Sequence, residues 1–468
     1  VGKPVPRTRT AYNQNVLETG WLADYLFHDG KFEMGLALIS GEDGRIARLS
    51  RDPEDLRNAH RLTRRAILPG LVNAHSHTFQ RVIRGRTEHR TAAIRDTFWT
   101  WREAMYHAAN RLTPDDIYCA ARMTFLEMLT SGITSVGEFH YLHRAQDGSN
   151  YSERALLSRR VLEAARDCGI RIALLVTAYV RAGWKKDPEP GQIRFLSPTP
   201  DDFLRLMEAA GPDAAMAPHS IRGVPLDYLK EILPYAREHG MRVHMHVAEQ
   251  PAEVEASLGE YGRRPVELLT DHGVIDSAFT GVHVIHVTNE EAARFGAAGA
   301  TVCACPTTER NLGDGFGPAD ELLNAGANIC FGTDSNAQIN LFEDARQLEY
   351  HLRLKKLERA VLAPDDHRES LARRLFINAT ASGARSIGIG DGTLEPGQPA
   401  DFFTVDLDDL SIAGADAGSL LTNIVFAAER SAIRDVFVDG KTVIEDRHHR
   451  LEAQIVRDFT GLQTRLWL

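Results

Sequence analysis

The segment Leu68-Pro69-Gly70-Leu71-Val72-Asn73-Ala74-His75-Ser76-His77 is an apolar run that ends in two histidines one residue apart. In an extended chain, side chains alternate faces, so His75 and His77 project the same way. Two neutral imidazoles on one face suit a divalent transition metal such as zinc. Taken alone, the pair also reads as two hydrogen-bonded polar residues under a loop. Further along, short apolar or β-branched runs alternate with amphipathic stretches. The runs cover 66–77, 133–139, 171–180, 214–220, 242–248, 281–287, 300–306 and 328–334, and helical patterns at 115–130, 153–168, 225–239 and 290–299 lie between them. Such alternation implies a parallel sheet, and eight repeats imply closure into a (β/α)8 barrel. An open doubly wound sheet is the alternative, but no Gly-x-Gly-x-x-Gly turn follows an early strand.

The flanks have a different texture. Extended runs within 17–49 are broken by Asp29-Gly30 and by 41–44, and short strands with tight turns return after Gly390. One small β-sandwich domain built from both chain ends is therefore expected, with the barrel inserted between them. The predicted parts are 1–65, 66–390 for the barrel, and 391–468 with a terminal amphipathic helix. The opening dozen residues are assigned no role.

Histidines and acids recur at later strand ends. The fifth run carries His244-Met245-His246 with Glu249 just beyond it. The sixth carries His283-Val284-Ile285-His286, and the eighth ends Gly332-Thr333-Asp334. In a barrel all of these converge at the C-terminal face, where catalysis sits. Two ambiguities stay open: His244 can stand in for His246, and His286 for His283. Cys303 and Cys305 also share a face, where buried thiols are the simpler reading than a metal site.

Composition narrows the class. Of 468 residues 25% are charged and 43% hydrophobic, as in an ordinary globular protein, and the net charge of −10 disfavours nucleic acid or a membrane surface as partner. The five cysteines are few and odd in number, which fits a reducing compartment rather than a disulfide framework. No apolar run approaches the ~20 residues that span a bilayer. No basic segment followed by an apolar core marks a signal peptide. A cytoplasmic location is expected.

With 68–77, the His246–Glu249 pair, His283, Gly332-Thr333-Asp334 and the returning segment 394–402, the chain resembles the amidohydrolase superfamily from about residue 17 to 443. The resemblance implies that His75, His77, His246 and Asp334 ligate one divalent metal ion, most simply Zn2+, with iron or manganese equally compatible with the donors. Dinuclear members carry a modified lysine at the fourth strand end, where this chain has Ala217-Pro218-His219-Ser220. The resemblance makes Glu249, His283 and Asp334 catalytic. Asp334 takes a proton from the attacking water, His283 polarises the attacking oxygen, and Glu249 protonates the departing nitrogen.

Within the superfamily, the segments 77–81, 96–102, 139–143, 217–222 and 305–315 are similar to those of the formimidoylglutamate deiminases. That likeness implies hydrolysis of the formimino group of N-formimino-L-glutamate to a formyl group with release of ammonia, as in histidine degradation. The substrate would be a small dianionic amino-acid derivative bound by Gln80, Arg102, Tyr141, His219 and Arg222, with Arg102 in a Trp-rich loop. A homodimer is the family-based expectation. The alternatives are a deaminase acting on a purine, pterin or triazine ring, and a metal-free scaffold. The first would not need two arginines for distal carboxylates, and the second would be expected to have lost ligands. The arginines at 81, 84, 86 and 90 read as structural.

Overall fold

The computed structural model describes residues 18–91 and 96–468. The opening dozen residues lie outside them. Eight parallel strands follow one another in chain order around the barrel: β1 (Leu71–Ser76), β2 (Ile133–His140), β3 (Arg171–Ala178), β4 (Ala215–Pro218), β5 (Val243–Val247), β6 (Phe279–His283), β7 (Thr301–Ala304) and β8 (Asn328–Phe331). The circle closes between β8 and β1 through the parallel bridge of Ser76 with Asp334. There His77 N donates to Asp334 O at 2.9 Å and Asp334 N to His75 O at 3.0 Å. A side chain at 332 would obstruct this closure, since a Cβ there would lie 2.7 Å from His75 Cβ and 3.0 Å from Cys303 Sγ. Only glycine lets β8 come so close to β1.

The helices between strands start where local chemistry starts them. Thr113 caps Pro114–Leu129 in a reciprocal box with Asp116, and Thr288 caps Asn289–Ala297 in the same way with Glu291. The barrel interior packs Val72, Ala74, Ala173, Val282, Cys303 and Cys330 against Ala384 and Ile387. The thiols of Cys303 and Cys305 are fully buried, and burial pushes both well above the ordinary thiol range, so they are neutral packing groups.

A second, mixed sheet of eight strands is assembled from segments before and after the barrel. Its central strands His60–Pro69 and Phe402–Asp406 pair antiparallel. The single run read at 66–77 is thus two strands. Gly70, whose N–H donates to Asp401 O at 3.0 Å, marks the passage from the small sheet to β1. Arg171 at the start of β3 ties the two parts together through a bidentate pair with Asp401, at 2.8 and 3.0 Å, and a contact with Asp439.

The terminal helix Glu452–Trp467 buries Ile455, Phe459, Leu462 and Leu466 and packs against Pro114–Leu129. Its Gln463 and Trp467 side chains donate to Val82 O at 3.0 and 3.1 Å. Arg81 and Arg84 both pair with the half-buried Glu127, and Arg86 lies over the Trp467 ring, so these three hold the first loop onto the barrel. No helix among the described residues is long and apolar enough to cross a membrane.

Candidate active site

The C-terminal strand ends surround a narrow cavity. At its floor His75, His77, His246 and Asp334 are all buried, with one ligand atom from each lying within 4.8 Å of the others. His75 Nε2 and His77 Nε2 are 3.2 Å apart, and each faces Asp334 Oδ1, at 3.3 and 3.1 Å.

The imidazole tautomers follow from the backbone. His77 Nδ1 meets Phe139 O at 2.8 Å, and His246 Nδ1 meets His219 O at 2.9 Å. A carbonyl only accepts, so both Nδ1 atoms carry hydrogen, and Nε2 is the atom that holds the lone pair in the neutral ring. Burial pushes His75 down to about 3 and holds His246 well below the ordinary histidine range, so both stay neutral. Burial pushes Asp334 upward, but the surrounding His75, His77 and His283 side chains outweigh it and hold its carboxyl well below the ordinary range. Three imidazole nitrogens and one carboxylate oxygen gathered at one point are a donor set that fits a divalent metal ion.

The two ambiguities in the sequence are resolved by position. His244 sits one layer deeper in the barrel, fully buried, with Nε2 bonded to Ser386 O at 2.9 Å. Strand β6 stops at His283. His286 lies beyond it and bonds Asp314 O at 2.8 Å.

His283 and Val284 both adopt positive φ, 73° and 53°, which turns the His283 ring into the cavity. Its Nδ1 faces Glu309 Oε1 at 3.2 Å, and its Nε2, buried without a hydrogen bond, lies 3.7 Å from both Glu249 Oε1 and Asp334 Oδ2. Burial alone would push His283 down, but the carboxylates of Glu249, Glu309 and Asp334 prevail and raise it to about 10. A second buried group, His283, Cys305 and Glu309, is also close-set, yet Glu309 Oε1 already accepts from Cys305 N at 2.9 Å. Glu249 projects just past β5, after Ala248 at φ 51°. Burial pushes its carboxyl upward, against the opposing charge of His283.

Gln80, Arg102, Tyr141, His219 and Arg222 line the same cavity. Gln80 Nε2 donates to Tyr141 OH at 2.7 Å, while its Oε1 is a buried acceptor without a partner. Arg102 is on the helix Phe98–Ala109, not in a loop, because Thr97 and Thr100 form a capping box that starts the helix at Phe98. Its guanidinium stacks 4.7 Å from the Trp99 ring centroid and reaches Glu189 at 3.4 Å. Arg222 lies 5.8 Å from the same Trp99 ring, and among the described residues no carboxylate pairs with it. The two arginines therefore share one end of the cavity.

The remaining cavity wall includes Tyr106, Tyr179 and Phe195, to which the sequence reading assigns no role. Tyr179 had a usable signal, since it directly follows strand β3. Tyr106 stands one helical turn after Arg102, a signal that exists only once that segment is known to be helical.

The sequence profile of the Amidohydrolase family matches residues 66–443. A formimidoylglutamate deiminase from Pseudomonas aeruginosa is 37% identical over 402 residues, 84% of this chain and 88% of the relative. The crystal structure of an amidohydrolase from Brucella melitensis superposes with a TM-score of 0.89 at 32% identity, covering 96% of this chain and all (100%) of that one. An adenosine deaminase from Xanthomonas campestris with bound zinc shares the fold, with a TM-score of 0.79 at 22% identity over 96% and 98% of the two chains.

Proposed function

Because the chain belongs to the amidohydrolase family, hydrolases that act on C–N bonds, we propose that it is a deiminase of N-formimino-L-glutamate. The reaction replaces the imino nitrogen of R–NH–CH=NH by the oxygen of water, leaving R–NH–CH=O and NH3. The observation that carries this reading is the pair Arg102 and Arg222 in the cavity that also holds the metal-binding group, with no carboxylate of the described chain against Arg222. A dianionic substrate supplies the missing partner. The 37%-identical Pseudomonas aeruginosa deiminase supports the same substrate.

His75, His77, His246 and Asp334 would hold one divalent ion, zinc in this reading, which when bound supplies Lewis-acid activation of water at neutral pH. The side chains do the rest. Asp334 Oδ2, turned towards His283, receives the proton of the attacking water. His283 Nε2, free of any hydrogen bond in the chain, stabilises charge on the attacking oxygen. Glu249, whose carboxyl burial pushes upward, is the group that delivers a proton to the departing nitrogen so that neutral ammonia leaves. Gln80 Oε1 is free to accept the formimino N–H, and Tyr141 fixes the Gln80 amide that presents it. His219 Nδ1 is engaged by Ser220 Oγ at 3.0 Å, which leaves Nε2 for substrate.

The test is ammonia release from N-formimino-L-glutamate by zinc-loaded protein, with N-formyl-L-glutamate measured as co-product. Stoichiometric formation of both is expected. Fully metallated protein that releases neither refutes the substrate and redirects the search to ring deamination, beginning with adenosine derivatives.

A further inference from the structure

At the arginine end of the cavity, two phenols meet one amide. Gln192, fully buried in the turn Pro190–Gln192, donates from Nε2 to Tyr106 OH at 2.9 Å and to Tyr179 OH at 2.7 Å. The amide orientation is set independently, because Gln192 Oε1 accepts from the Glu189 backbone N–H at 2.8 Å. The nitrogen therefore faces the tyrosines, and an amide nitrogen only donates. Both phenol oxygens are acceptors in these bonds, so neither O–H hydrogen is used on Gln192. One phenol can donate to the other, which still leaves at least one hydrogen for a third group. Both tyrosines line the cavity, as do Arg102 and Arg222. The Arg102 guanidinium lies 5.1 Å from the Tyr106 ring centroid. Burial, with Tyr179 adding to it, pushes Tyr106 well above the usual phenol range, so it keeps its proton at neutral pH.

We propose that Tyr106 and Tyr179, polarised by Gln192, form a subsite whose O–H groups donate to the substrate carboxylate farthest from the formimino group, beside Arg102 and Arg222. The inference rests on the deiminase reading above and adds to it three residues that determine specificity. Tyr106 and Tyr179 touch the ligand, and Gln192 acts through them as a positioning residue. An aromatic wall alone would serve a flat ring. Two phenols that accept from an amide, and keep at least one O–H hydrogen to give, serve an anion.

The variants are Y106F, Y179F, the double variant and Gln192→Met, assayed on N-formimino-L-glutamate and on N-formimino-L-norvaline. The second substrate keeps the chain and the α-carboxylate but lacks the distal one. Loss of a hydrogen bond to a charged group should raise KM for the glutamate derivative about tenfold per tyrosine and about 100-fold in the double variant. Turnover should stay within about threefold, because binding is lost equally from ground and transition states. Gln192→Met should show the same KM-specific loss, and kcat/KM for the norvaline derivative should not move. An unchanged KM in the double variant, or equal losses on both substrates, overturns the proposal. Wild-type enzyme that releases no ammonia from either compound overturns the deiminase reading instead. The subsite is then tested by calorimetric titration of glutarate. Binding at least tenfold weaker in the double variant supports it, and no binding or equal binding overturns it.

Discussion

Arg222→Met tests the substrate assignment most directly. The long apolar side chain of methionine replaces the stem of arginine, so packing against Trp99 is largely kept while the charge goes. Arg222 makes only one weak bond within the described chain, to Ala182 O at 3.5 Å, so its removal orphans no buried carboxylate. Stability should therefore change little. A guanidinium meeting a carboxylate makes two charge-assisted bonds, each worth about 1.5–3 kcal/mol. Arg222 is half-buried, and water can re-solvate the abandoned carboxylate, so the low end applies, about 3–4 kcal/mol in total. At about 1.36 kcal/mol per factor of ten, kcat/KM should fall about 10²- to 10³-fold. The assay is coupled ammonia release at several substrate concentrations, with metal content and Tm as controls for an intact fold. A kcat/KM within threefold of wild type, in protein with full metal, would refute the role of Arg222 and with it the argument from an unpartnered cation. Arg102→Met is the less clean companion, because Arg102 also stacks on Trp99 and Tyr106 and reaches Glu189.

Gly332→Ala should cost about 1–3 kcal/mol, because the added Cβ must displace His75 or Cys303. Bound metal should fall with it, whereas a normal Tm and full metal content would contradict the close approach of β8 to β1. Glu249→Gln should lower kcat about 10²- to 10⁴-fold with little change in KM. In wild type the acid form does the work. Burial raises the Glu249 pKa, so kcat should fall as pH rises through that value, a limb the Gln variant should lack. Unchanged kcat in the variant would remove Glu249 from the reaction. Extraction of metal with a chelator should abolish ammonia release and lower Tm, since an ion at 1,000 times its Kd contributes about 4 kcal/mol. Zinc should restore both, and a Tm indifferent to chelator and zinc would argue against a metal at His75, His77, His246 and Asp334.

The barrel and its metal-binding face were legible in the sequence because both depend on short-range periodicity. Period-two alternation puts His75 and His77 on one face, the strand–helix rhythm places their run at a C-terminal strand end, and Asp334 ends the run that closes the circle. The same short range explains what the sequence could not decide. His244 and His246 share a face at different depths, and the Ser386 carbonyl that occupies His244 Nε2 lies 142 residues away. His283 was separated from His286 by where β6 ends and by a backbone turn through positive φ, which no residue type there announces. The run 66–77 reads as one strand because its hydrophobicity is continuous across Gly70, and its division comes from pairing with Phe402–Asp406, over 300 residues later. Gln192, Tyr106 and Tyr179 carry no common motif. Their meeting is a matter of three segments folded over one cavity, and the direction of their hydrogen bonds follows from a backbone N–H at Glu189. Local pattern determined which face of which strand bears the chemistry. Tertiary contact decided which side chain on that face is free to react, because hydrogen-bond partners distant in the chain occupy the others.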